Sequence, residues 1–167
     1  MIVQKINVVK LLITEIKSLD PVSVFIEEHP PSGGKITFEC YGESWTYFWG
    51  SIGEKTFEEF FCGCDNSYLS GKFAPQLDSE VDDPDGLPEY AREHILSERR
   101  KRWLNKKDAR EQWEKCEFLT MDDNIKLQEI FGDEWWRHCC PKQPNHKYGY
   151  LGRILDAVKE AIKQGDQ

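Results

Sequence analysis

The sequence predicts an α+β fold: a single domain over residues 1–167, in which an antiparallel sheet of three or four N-terminal strands is packed by four or five helices. Three observations predict it. Residues 1–53 gather β-branched and aromatic segments of alternating polarity. Helical periodicity takes over after Gly53. Strands precede helices instead of alternating with them, which disfavours a parallel βαβ arrangement. A chain of 167 residues can bury a sizeable core without disulfides or metal.

Each element has its own signal. INVVKLLITEI (6–16) fits both periods poorly and is read as a first strand. VSVFIEEH (22–29), KITFECYG (35–42) and SWTYFWGS (44–51) are strands bounded by turn formers, with PPSGG (30–34) as a hairpin loop and Gly42–Glu43 as a tight connection. Alternation puts Trp45, Tyr47 and Trp49 on one face and Thr46 and Phe48 on the other. Aromatic residues make up 13% of the chain, so rings must supply much of the core.

Thr56 ahead of FEEFFCGC reads as an N-cap, with Glu58 and Glu59 in the first helical turn. DSEVDDPDG (78–86) holds five acids and reads as an exposed loop before a helical region, 87–167. Leu87, Ala91 and Ile95 share one helical face and Ala109, Trp113 and Cys116 another, giving one long or two consecutive helices to Leu119. A short helix follows in 120–132, with Thr120 as cap and Gly132 as stop. The last helix carries the stripe Leu151, Ile154, Leu155, Val158 and Ile162.

Charge is uneven: residues 1–86 carry a net −9 and residues 87–167 a net +1. No apolar run is long enough to span a bilayer, and the N-terminus lacks the pattern of a signal peptide. A cytoplasmic protein with reduced cysteines is expected. No nucleophile elbow, phosphate-binding glycine loop or calcium-loop order is present. The reading is a non-enzymatic protein-binding module without a cofactor.

Trp45, Trp49, Trp103, Trp135 and Trp136 are the candidate anchors, because exposed rings give contact energy at small entropic cost. Asp82, Asp83 and Asp85, with Asp78 and Glu80, form an acidic segment; if it imitates a nucleic-acid backbone, these five would face a basic site on a host protein. RRKRWLNKKDAR (99–110) supplies Arg99, Arg100, Arg102 and four further cations around Trp103. On one helix this run suits direct nucleic-acid binding, the alternative function, though a pI near 5.1 disfavours it. A second alternative is a small zinc domain on Cys62, Cys64, His138 and Cys139. Its cysteines are separated by one residue or none, against the usual two to four, which favours buried thiols.

The stretch YGESWTYFWGSIGEKTFEEFFCGCDNSYLSGKFAP (41–75) and the ending PNHKYGYLGRILDAVKEAI (144–162) resemble the small accessory proteins of temperate phages and prophages of enteric bacteria. That resemblance implies a non-enzymatic protein whose partner is a host protein or complex, in defence or nucleic-acid processing, which it modulates or inhibits. It carries over no functional residue.

Overall fold

A computed structural model describes residues 1–3, 8–137 and 140–165. The fold is α+β, as the sequence predicts. Four strands form one antiparallel sheet in sequential order: β1 (Val9–Ile13), β2 (Val22–Glu28), β3 (Gly34–Cys40) and β4 (Glu43–Trp49). Six α-helices follow among the described residues, against the four or five expected: α1 (Phe57–Gly63), α2 (Asn66–Phe73), α3 (Leu87–Arg100), α4 (Lys106–Lys115), α5 (Asn124–Phe131) and α6 (His146–Gly165). Two short strands, β5 (Glu80–Asp82) and β6 (Lys142–Pro144), pair antiparallel with each other.

The chain forms two compact units. One comprises residues 1–79 and 145–167, and the other residues 80–144. The first unit draws on both ends of the chain, because α6 packs in the same core as the sheet.

In the first unit, Val22, Val24 and Ile26 of β2 lie in register with Cys40, Phe38 and Ile36 of β3, and all six are buried. Phe38 and Ile36 in turn pair with Trp45 and Tyr47 of β4, so the aromatic side of that strand faces inward. Trp49 is 6% exposed. Its ring meets those of Tyr47, Phe57, Phe60 and Phe73 at 4.6, 5.8, 5.6 and 5.9 Å, and its indole N–H donates to the Tyr68 hydroxyl at 3.0 Å. On the other side of the sheet, Lys35 pairs with Glu27 at 2.7 Å and Lys10 sits over the Phe25 ring, as expected of an antiparallel sheet wetted on one face.

Local chemistry explains the connections. Tyr41 and Gly42 both have positive φ (50° and 80°), so the β3–β4 link is a two-residue turn of the mirror-image kind that matches strand twist. It lies one residue before the expected Gly42–Glu43. Gly34 starts β3 because a Cβ there would come within 2.2 Å of the Phe57 ring. Thr56 caps α1 in a reciprocal capping box with Glu59, satisfying two otherwise unpaired N–H groups. Asp65 caps α2, accepting from the Tyr68 N–H at 2.7 Å. The stripe read from the sequence is the buried side of α6: Leu151, Ile154, Leu155, Val158 and Ile162.

The second unit has its own core, with Leu87, Ala91 and Ile95 of α3, Ala109 of α4, Cys116, Leu119, and Leu127 and Ile130 of α5. The expected loop 78–86 is exposed but partly strand, since Glu80–Asp82 is β5. Thr120 does not cap α5. The helix begins after Asp123, whose carboxylate accepts from the Thr120 N–H at 3.0 Å and its hydroxyl at 3.1 Å. Gly132, at φ 89°, ends it as expected.

Candidate functional site

The basic run 99–110 is not one helix. Arg102 adopts a left-handed φ of 62°, which breaks the helical path after Arg100, and Asn105 restarts it by accepting from the Asp108 N–H at 3.0 Å. The cations therefore gather on two helix ends and the turn between them. Arg99 braces that turn by donating to the Leu104 carbonyl at 2.5 Å. Lys101 bonds Glu98 at 3.0 Å and sits 4.8 Å from the Trp103 ring centroid.

Trp103 is 76% exposed. Arg100, Arg102 and Lys106 around it are exposed and have no carboxylate partner among the described residues. Lys107 and Arg110, further along α4, pair loosely with Glu111 at 3.8 Å and Glu114 at 3.5 Å. Beside the turn lies a hollow of about 380 Å³ whose walls include Trp103, Leu104, Ile130 and Phe131. The arrangement joins an exposed indole, uncompensated positive charge and an adjoining hollow of mixed polarity, whose walls also include His94, Glu98 and Gln112. It can neutralise anionic groups and grip an apolar side chain at the same place.

The other candidate anchors are scattered. Trp49 is a correction: it lies in the core of the first unit and is not available at the surface. Trp45 is half-buried, stacked on Phe38 at 5.3 Å. Trp135 packs against the core of the second unit, while its edge-to-face neighbour Trp136 is 62% exposed. The acidic segment is engaged in part. Asp82 pairs with Lys142, and Asp83 accepts from the Gly86 N–H at 3.2 Å and from Gln143 at 3.3 Å. Asp85 is exposed.

His138 and Cys139 lie outside the described residues. Cys62 donates to the Lys159 carbonyl at 3.6 Å, and burial raises the pKa of Cys64, which opposes the thiolate a metal needs. No group of three or more metal-ligating side chains is assembled among the described residues.

A second concavity, about 630 Å³, lies on the first unit between β3–β4 and the start of α6. Its walls include His146, Lys147, Tyr150 and Arg153, none of which sequence reasoning singled out. The available signal was the spacing of His146, Tyr150 and Arg153 at i, i+4 and i+7, which puts all three on one helical face. The Tyr150 hydroxyl and the Cys40 thiol are hydrogen-bonded at 3.2 Å, which, together with burial, pushes the phenol up to about 12.

Among the described residues, no helix is long and apolar enough to cross a membrane. Curated proteins and solved structures give no match to the sequence. The model of a phage protein family matches residues 1–164, nearly the full length, and the chain belongs to that phage family.

Proposed function

We propose that this phage-family protein is a non-enzymatic binding module that acts in the host cytoplasm on a protein complex of defence or nucleic-acid processing. Its docking surface is the α3–α4 turn, and the partner presents an acidic face. One observation carries the reading: Trp103 stands 76% exposed among Arg100, Arg102 and Lys106, which have no carboxylate partner among the described residues. Tryptophan and arginine are the residue types most enriched at binding hot spots. Uncompensated cations steer an acidic partner to the site and are neutralised there.

Affinity capture from host lysate with the wild-type chain, Trp103→Ala and the Arg100→Glu/Arg102→Glu pair tests it. The wild type retains a host protein, and each variant loses affinity by about 2 kcal/mol or more while thermal stability changes by no more than about 0.5 kcal/mol. Equal capture by all three proteins, or none by the wild type, refutes the reading. The same turn could instead serve nucleic acid. A low-salt gel shift that weakens steeply with salt, and is lost in the Arg100→Glu/Arg102→Glu protein, transfers the surface to that partner.

A further inference from the structure

We propose that the 630 Å³ concavity of the first unit is a binding site for a small planar anion, a ring system bearing a phosphate or carboxylate. The volume falls in the range of small-molecule sites, roughly 300–1,000 Å³. One wall is apolar, made by Trp45, Ala74, Leu77 and Leu151. Trp45 stacks on Phe38 with an interplanar angle of 26°, so one face of the indole is fixed against the core. A flat ring is the partner such a surface holds best, through offset stacking.

The α6 part of the lining also carries the cations. His146, Tyr150 and Arg153 lie along one face of α6, with Lys147 beside them. Lys147 and Arg153 lie six positions apart on α6, about 9 Å along its axis, so cations stand on either side of Tyr150 along the helix. The Arg153 guanidinium sits 5.6 Å from the Tyr150 ring centroid, and that ring is itself held through its hydroxyl by Cys40. The cation is thus positioned in advance, which lowers the entropic cost of binding. His146, Lys147 and Arg153 have no carboxylate partner among the described residues. Glu43, on β4, is the one acid of the lining. Within the lining it stands against two cations, Lys147 and Arg153, and Asp20 acts on Tyr150 from beside it.

This inference is independent of the α3–α4 docking surface, and calorimetry on the full chain tests it. The probes are adenosine 5′-monophosphate, uridine 5′-monophosphate and indole-3-acetate, with adenosine and inorganic phosphate as partial ligands. At least one anionic ring compound binds with a Kd below about 1 mM. It binds about tenfold tighter than the neutral nucleoside or phosphate alone, as expected when a charge-assisted contact is added to stacking. The nucleotide and indole arms distinguish phosphate from carboxylate. Arg153→Ala, at an exposed position, weakens binding about tenfold. Trp45→Leu, its fold checked by circular dichroism, does the same, and Trp103→Ala leaves the affinity unchanged. Absence of binding by all three anionic rings, or binding that survives both Arg153→Ala and Trp45→Leu, overturns the proposal.

Discussion

Replacing Trp49 by alanine removes the ring on which the aromatic core of the first unit converges. The side chain is 6% exposed and meets four neighbouring rings at centroid distances of 4.6 to 5.9 Å, so little of the vacated space can be refilled by solvent or a single rotamer change. Truncation of a buried tryptophan costs about 3–5 kcal/mol, a large fraction of a total stability on the order of 5–15 kcal/mol. Trp49→Phe is milder. It keeps a ring but removes the N–H that donates to Tyr68 at 3.0 Å, and that bond has a net worth of about 1 kcal/mol. Combining Trp49→Phe with Tyr68→Phe in a double-mutant cycle isolates the bond, with an expected coupling of about 0.5–1.5 kcal/mol. The assay is urea denaturation read through exchange protection of the β3 and β4 amides, so that the first unit is measured by itself. A Trp49→Ala protein within about 1 kcal/mol of wild type would refute the reasoning, and zero coupling in the cycle would remove the hydrogen bond from it.

Gly34→Ala places a methyl group 2.2 Å from an atom of the buried Phe57 ring, and overpacking of this kind costs about 1–3 kcal/mol. A melting temperature equal to wild type contradicts it. The Asp123 carboxyl is held below its ordinary pKa, first by the hydrogen bond from the Thr120 backbone. Its contribution to stability is present above the unfolded-state pKa and is lost as the pH falls through the lowered folded value. Carbon-13 NMR titration of that carboxyl checks the direction, and a midpoint at or above an ordinary aspartate refutes it. The Tyr150 phenol is pushed up to about 12 from 10.0, first by its hydrogen bond with Cys40. The stabilisation it supplies is therefore complete below pH 10 and is lost as the pH rises toward about 12. Cys40→Ala lowers that pKa in an NMR titration of the tyrosine ring; an unchanged midpoint excludes the thiol as the cause.

The sheet and the last helix were legible because burial there is periodic. Val22, Val24 and Ile26 alternate, Ile36, Phe38 and Cys40 alternate, and the α6 stripe recurs at helical spacing. Alternation also grouped Trp45, Tyr47 and Trp49, but which face is inward depends on their pairing with β3, a long-range fact that one strand does not contain. α2 escaped because its buried set, Leu69, Ser70 and Phe73, includes a polar residue and gives no clear stripe. β5 and β6 are three-residue, largely exposed strands with no hydrophobic pattern to announce them. At the α3–α4 turn, the composition of the surface was readable, whereas the break at Arg102 was not, since arginine carries no preference for a positive φ. The concavity of the first unit joins Trp45 to Arg153 across 108 positions of sequence, and no local pattern spans that distance.

The antiparallel pairing of Glu80 with Pro144 brings the entry and exit of the second unit side by side, and the Asn145 N–H donates to the Ser79 carbonyl at 2.9 Å. A segment whose ends meet in this way is topologically a cassette. A change in the length of residues 80–144 is therefore expected to add little closure entropy, because Ser79 and Asn145 are already at bonding distance. The closure of the first unit's chain thus rests on the Ser79–Asn145 junction and not on the length of what lies between.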